Sequence, residues 1–411
     1  MSVDVSRSSA DKGSLSEIFG AFLKLGLISF GGPIAHLGYF RDELVVRRRW
    51  LTESAYADLV ALSQFLPGPA SSKVGFTLGV MRGNSLMGGL VAWLGFTMPS
   101  ALVLFAFALG AAAFTGPVAE GFIHGLKLVA VAVVAQAIWG MAKNLTPDRQ
   151  RIGIALAAIA IVTAPIGMLG QIGAILVGAL AGLWLCRSNG GPVTGHLEFP
   201  ITRRAGAVAL ILFTLLLTLP PILASVTGNQ AIALFDAFYR SGALVFGGGH
   251  VLLPLLQAQV VVPGWVSNET FLAGYGLTQA VPGPLFTFAA YLGAVMGPSP
   301  NGLIGASIAL VAVFLPGGLL AYGVLPFWDM VRARPMAQAA MRGANAAVVG
   351  ILGAAFYNPV WTSAVLTPVD FALALTGFLL LTVWKLPPWT VVMLLAACGT
   401  VSGLIEHFAW I

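Results

Sequence analysis

Lys24-Leu-Gly-Leu-Ile-Ser-Phe-Gly-Gly32 returns later in the chain as Arg240-Ser-Gly-Ala-Leu-Val-Phe-Gly-Gly248. The echo is not isolated. Trp50 matches Trp265, and Gln64-Phe-Leu-Pro-Gly-Pro69 matches Gln279-Ala-Val-Pro-Gly-Pro284. Pro99 matches Pro316, and Pro117 and Gly125 match Pro335 and Gly343, all in order and at nearly constant spacing. Chance can supply one Pro-Gly-Pro match, but not an ordered series. The chain is therefore a duplicated unit, with a first repeat at 14–187 and a second at 231–405. The linker, 188–230, holds an extra apolar segment at 205–223.

The setting of this duplication follows from its charge. Only 9% of the 411 residues are charged and 58% are hydrophobic. A soluble domain carries about 25% charged residues, so this surface has to face lipid. Stretches such as 86–114 and 205–226 reach the roughly 20 apolar residues that a bilayer crossing needs, and there are too many of them for a signal peptide ahead of a soluble enzyme. The net charge of +6 sits in short loops, which is a topology signal and not nucleic-acid recognition. Cys186 and Cys398 lie in apolar segments with no CxxC or metal spacing, and read as packing residues.

Loop charges assign the orientation of the two repeats. Arg41, Arg47, Arg48 and Arg49 follow the first Phe-Gly-Gly element, whereas the matching loop at 257–264 is uncharged. The loop at 114–117 is uncharged, whereas its match carries Arg332 and Arg334. Lys143, Arg149 and Arg151 map to the uncharged 357–367. Basic and neutral loops exchange places, so the positive-inside rule sets the repeats in opposite orientations. The fold expected is an all-α polytopic membrane protein of two inverted repeats. Each repeat opens with two Gly/Pro-interrupted helical hairpins, re-entrant or fully spanning, and continues with four spanning helices. One linker transmembrane helix joins the repeats. Inverted repeats are a recurrent architecture of secondary transporters, with the site at the repeat interface.

The interruptions are where chemistry is expected. Phe30-Gly31-Gly32-Pro33 cannot be continuous helix, and proline suits the first turn of a new one. Pro67-Gly68-Pro69 behaves alike, with Ser71, Ser72 and Lys73 in the following turn. Helix N-termini attract anions through free N–H groups and the dipole. The second repeat offers the same at Gly247, Gly248 and Gly283, with Thr287 in the turn after Pro284. Four such ends brought together would enclose a small tetrahedral anion; the alternative is that they are packing kinks.

Polar side chains around the breaks complete the candidate set. Lys24 and its match Arg240 are ionisable groups within apolar helices, either site residues or, for Lys24, a side chain snorkelling to an interface. Asp236, one turn before Arg240, is a candidate structural partner for it. Gln64 and Gln279 precede the Pro-Gly-Pro turns, suited to substrate or to the broken backbone. His36 and His250 follow the Gly-Gly breaks without aligning. Lys73 has no charged counterpart, since Phe288 stands in the matching position. His124 and Lys127 flank Gly125 as Arg342 and Asn345 flank Gly343, and Asp58 is a candidate proton-coupling carboxylate or ion-pair partner.

These paired motifs, from Phe30-Gly-Gly-Pro33 through the Arg/Trp loop ending at Trp50 to Gln279–Pro284, resemble the chromate ion transporter family in its long, two-domain form, over nearly the whole chain. The departure is Gly249 where the first repeat has Pro33. The resemblance implies export of chromate from the bacterial cytoplasm and chromate resistance, with sulfate as a related oxyanion. It implies a multi-pass inner-membrane location with a cytoplasmic N-terminus. The residues themselves do not rank chromate above sulfate, and they leave a carrier and a channel both open. A membrane-embedded enzyme is disfavoured by the absence of a Rossmann fingerprint, a Cys/His cluster or triad spacing. No cofactor, metal or nucleic acid is expected; the partners are the oxyanion, the bilayer and, as an open assembly state, a second copy of the chain.

Overall fold

The computed structural model describes residues 13–111, 116–164, 168–187, 201–246, 248–328, 330 and 334–409. Gly247, Phe114 and Arg332, used above, lie outside the described residues. Every element among the described residues is helical.

The first repeat opens with four half-length helices. Helix α1 (Leu15–Ile28) starts at Ser14, whose side chain accepts from the Glu17 amide. Its 14 residues span about 21 Å, short of the roughly 30 Å of a hydrocarbon core. Helix α2 (Gly32–Phe40) follows Gly31 at φ 95° and runs on as a wider turn through Arg47. Helix α3 (Glu53–Phe65) is capped by Thr52, and α4 (Ala70–Gly83) begins after the Pro-Gly-Pro turn. The outer ends of both hairpins lie together. The Gly13 amide donates to the Arg82 carbonyl at 3.0 Å. Glu17 accepts from the Trp50 indole at 3.1 Å and from Arg82 at 3.2 Å. The guanidinium carbons of Arg48 and Arg82 lie 5.7 and 5.3 Å from the Trp50 ring centroid, within cation–π range.

The remainder of the repeat is α5 (Leu86–Ala111), α6 (Pro117–Leu145), α7 (Arg149–Thr163) and α8 (Met168–Leu185). Asp148 caps α7, and its hydrogen bond with the Arg151 side chain at 2.8 Å holds that carboxyl below its ordinary range. The linker helix α9 (Arg203–Thr227) lies against α10 (Gln230–Ala243) and α14 (Gly302–Val324) and leaves most of its surface exposed. The second repeat re-enters through α10, α11 (Leu252–Leu256), α12 (Asn268–Thr278) and α13 (Phe288–Val295), then continues as α14, α15 (Pro335–Ala355), α16 (Pro368–Thr382) and α17 (Pro388–Ala409). Helices α5, α6, α9, α14, α15 and α17 are long and apolar enough to cross a membrane. With the half-length hairpins this is a polytopic membrane protein.

The last three helices of the two repeats interleave. Helix α6 packs on α17 and α15 packs on α8, each where glycines let backbones touch. A Cβ on Gly125 would meet the Leu395 carbonyl, and one on the matching Gly343 would meet the Gly178 carbonyl. Helices α6–α8 and α15–α17 form a bundle drawn from both repeats, and the broken hairpins flank it with α5 and α14. The second repeat's hairpins share one apolar core with the bundle, whereas the first repeat's hairpins pack in two smaller ones, one centred on Phe22, Phe40 and Phe96 and one where Leu62, Leu66, Phe76 and Val80 meet Ala321, Leu325 and Trp328.

Candidate functional site

The interruptions meet across the repeat boundary. The Gly68 amide donates to the Val245 carbonyl at 2.7 Å, and the Gly283 amide donates to the Ser29 carbonyl at 2.9 Å. Gly68 matches Gly283 and Val245 matches Ser29, so one contact is the image of the other under a pseudo-two-fold axis. Loop charges that exchange between repeats put this axis in the membrane plane. The same relation recurs beside it. A Cβ on Gly68 would sit 3.0 Å from the Cα of Gly317, and one on Gly283 would sit 2.7 Å from the Ser100 hydroxyl; Ser100 and Gly317 are matched positions. A Cβ on Gly249 would lie 3.4 Å from Pro33, so the two Gly-Gly breaks also face each other.

Each break forms for a local reason. Gly68 and Gly283 sit at φ 104° and 107°, and Gly31 and Gly32 at 95° and 79°, a left-handed region open to residues without Cβ. Proline on either side of Gly68 cannot continue the helix. Neither α2 nor α4 has a side-chain N-cap, so N–H groups in their first turns remain available. The second repeat keeps the breaks but starts its helices differently. Tighter 3₁₀ turns, Gly249–Val251 and Leu285–Thr287, precede α11 and α13. Gly249 lacks the fixed φ that Pro33 brings, and the Thr287 hydroxyl is bonded to its own Pro284 carbonyl at 2.7 Å.

The polar lining comes from the first repeat. His36 is buried, with Nδ1 3.2 Å from the Ser71 hydroxyl and its ring edge-on to Phe96 at 5.5 Å. Ser29, Ser71, Ser72, Thr97 and Ser100 are all buried, and the hydroxyls of Ser29, Ser72 and Thr97 have no hydrogen-bond partner among the described residues. Unsatisfied buried hydroxyls are costly and call for an account. The matched positions of His36, Ser71 and Lys73 are Leu252, Phe286 and Phe288. The breaks are thus symmetric, whereas the imidazole, the ammonium and the Ser71 hydroxyl have no polar counterpart in the second repeat.

Lys73 is fully buried, and its ammonium donates to the Leu66 and Pro67 carbonyls, the latter at 3.0 Å. It satisfies the frayed end of α3 across the Pro-Gly-Pro turn and leaves one of its three donors uncommitted to those carbonyls. Ser72 and Lys73 also border a largely apolar crevice of about 500 Å³ between α4, α5, α9 and α14.

Several other residues singled out from the sequence stand apart from this cluster. Lys24 is ion-paired with Glu43 at 2.6 Å, and Glu43 also takes Arg48 at 2.9 Å. Arg240 pairs with Asp236 one turn before it. His250 is bonded to the Tyr275 hydroxyl at 2.7 Å. Gln64 is exposed on α3, while Gln279 is buried with an unpartnered side-chain nitrogen. Gly248 abuts Met141 of α6. Residues that the sequence reading passed over are Ser29, Phe96, Thr97 and Ser100. The alignment of Pro99 with Pro316 was the available signal, since it marks the part of α5 that lies against the breaks.

The family model described as chromate transporter matches the chain twice, at residues 16–184 and 232–401. A chromate transport protein of Pseudomonas aeruginosa is 31% identical over 401 residues, covering 93% of this chain and 91% of that protein. A chromate transport protein of Cupriavidus metallidurans is 24% identical, covering 96% and 94%. A probable chromate transport protein of Synechococcus elongatus is 27% identical, covering 83% and 84%. No solved structure matches.

Proposed function

The chain belongs to the chromate transporter family, and from that premise we propose that it exports chromate from the bacterial cytoplasm by alternating access. In this reading the oxyanion binds at the broken-helix N-termini of α2 and α4, against the Pro-Gly-Pro turn of the second repeat. The observation that carries the reading is the reciprocal pair of inter-repeat bonds, Gly68 to Val245 and Gly283 to Ser29. They hold free amide donors of one repeat beside the other repeat's break. Gly31, Gly32, His36, Gly68, Ser71, Ser72, Lys73 and Gly283 form the binding set. Lys24 and Arg240 act through their carboxylate partners, as braces of the hairpins and not as ligands. Gln279, with its unpartnered nitrogen, serves the same site in another stage of the cycle.

The chemistry suits a dehydrated dianion. Amide N–H groups, hydroxyls and one buried ammonium are donors matched to oxygens that only accept. Energetics set the direction. Expelling a dianion from a negative-inside cell gains about 2.3 kcal/mol per charge per 100 mV, so export can run on the potential alone. The basic ends of the hairpins, with Arg47–Arg49 and Arg82, face the cytoplasm in this reading, along with the N-terminus.

Flux of radiolabelled chromate and sulfate in proteoliposomes, under imposed potential and pH gradients, tests this. Potential-driven chromate movement, competed by sulfate, is the expected result. Flux of sulfate with none of chromate would make the chain a sulfate carrier, and unitary currents would make it a channel.

A further inference from the structure

The two repeats match in sequence but not in how their second hairpins are packed. Helix α12 lies along α6. Its Leu272 and Gly276 are buried, a Cβ on Gly276 would strike the Leu126 carbonyl, and Glu269 reaches Lys127 at 3.9 Å. Helix α3 is the counterpart of α12, and α15 is the counterpart of α6. The positions on α3 that match Glu269, Leu272, Gly276 and the buried Gln279 are Ser54, Ala57, Ala61 and Gln64, and all four are exposed. Among the described residues α3 does not pack along α15. The exposed face carries no large apolar side chain and includes the flank of Asp58, so lipid is a poor neighbour for it. Water is the neighbour that such a face suits.

We propose that this structure is the state open at the basic face of the protein, with the α3–α15 cleft as its aqueous entry and the α6–α12 seam as the closed gate at the opposite face. This rests on the transporter reading above and deepens it. The pseudo-two-fold axis supplies the second state by exchanging the arrangements of the two repeats, with a wider seam, since Ala61 stands where α12 has Gly276. In that state α3 closes on α15 as α12 closes on α6 here, and α12 parts from α6. The separate apolar cores of the first repeat's hairpins are what let them stand off the bundle, while the second repeat's hairpins are fused to it. The seam is held by the close helix packing at Gly276. The Lys127–Glu269 pair adds little by itself, since Glu269 is 75% exposed and solvent screens such pairs.

The test is thiol accessibility in the full chain with both native cysteines replaced by alanine, reconstituted and probed with a membrane-impermeant maleimide from each face. Ala57→Cys should react from the basic face, and Leu272→Cys, its matched position, should be protected by at least tenfold. A chromate gradient should slow the first and speed the second. Gly276→Ala should raise the Leu272→Cys rate without any substrate, and its monodispersity in detergent tells gate opening from misfolding. Equal reactivity of the two positions would overturn the proposal, as would an inert Ala57→Cys or a disulfide between two copies through Ala57→Cys. The arms without chromate keep the two readings separable. The accessibility pattern with no chromate flux would sink the cargo and spare the gate; flux with no asymmetry would do the reverse.

Discussion

The amide of Gly68 donates to the carbonyl of Val245 across the repeat boundary at 2.7 Å. Val245 follows α10, the first helix of the second repeat, and Gly68 sits in the turn that launches α4 in the first. The bond fixes the spacing of two interrupted helices at the point where neither can satisfy its own backbone. Gly283 and Ser29 repeat it at 2.9 Å. A buried amide left without an acceptor costs about 1–3 kcal/mol, so these bonds hold the breaks in register as well as neutralising them.

Alanine at either glycine should be damaging, and unequally so. Both need a left-handed backbone, which costs a residue with Cβ about 1–2 kcal/mol. Gly68→Ala in addition meets the Cα of Gly317 at 3.0 Å, part of a helix backbone, whereas Gly283→Ala meets the Ser100 hydroxyl, which can rotate, and the Ser100 Cβ at the looser distance of 3.2 Å. Thermal unfolding in detergent should show the larger loss for Gly68→Ala. Matching losses would mean that the Gly317 contact carries no weight.

Lys73→Met should destabilise the protein beyond the loss of a charge. The Leu66 and Pro67 carbonyls would lose their donor, at about 1–3 kcal/mol for each group left buried. Chromate flux should fall with it. A variant of unchanged thermal midpoint would show that water replaces the ammonium at the α3 terminus.

Ser72→Ala separates binding from folding. The Ser72 hydroxyl makes no hydrogen bond among the described residues, so its removal should leave stability unchanged or slightly raised. Half-saturation for chromate should rise about 10- to 100-fold, the worth of one hydrogen bond to a charged acceptor at roughly 1.5–3 kcal/mol. Unaltered half-saturation would take the first turn of α4 out of the site.

A double-mutant cycle decides the role of Lys24. Glu43→Gln leaves Lys24, Arg47 and Arg48 without their shared carboxylate and should cost about 1–3 kcal/mol, less than a fully buried pair because Lys24 is 42% exposed. If Lys24 serves only as a partner, Lys24→Met with Glu43→Gln should cost less than the sum of the singles and should transport chromate. Transport lost in the double variant, with the fold intact, would return Lys24 to the oxyanion.

Much of this architecture was legible because duplication and helix breaking are written in local residue types. Phe-Gly-Gly and Pro-Gly-Pro cannot be helix interiors, and their recurrence marks the breaks that the fold brings together. What local pattern does not carry is which distant side chain completes a charge. Lys24 stood as an isolated cation because Glu43 lies 19 residues away, on the returning arm of a hairpin whose re-entry could not be told from a double crossing. His36 and His250 looked equivalent in type. Only packing reveals that one leans on Ser71 beside the breaks and the other on Tyr275. The unequal seating of α3 and α12 was invisible for a deeper reason. Two repeats that share their helix-breaking motifs carry no local mark of how tightly each hairpin packs on the bundle.

Helix α9 bears on the origin of the chain. It touches α10 and α14 along one side and leaves most of its surface exposed. Two separate copies of an ancestral half would have had to insert in opposite senses and then find each other in equal number. A single greasy tether ends that lottery: it flips the second copy during synthesis and guarantees a mate at one-to-one dosage. Once fused, the halves were free to diverge, and so His36, Ser71 and Lys73 could gather on one side while leucine and phenylalanine filled the other.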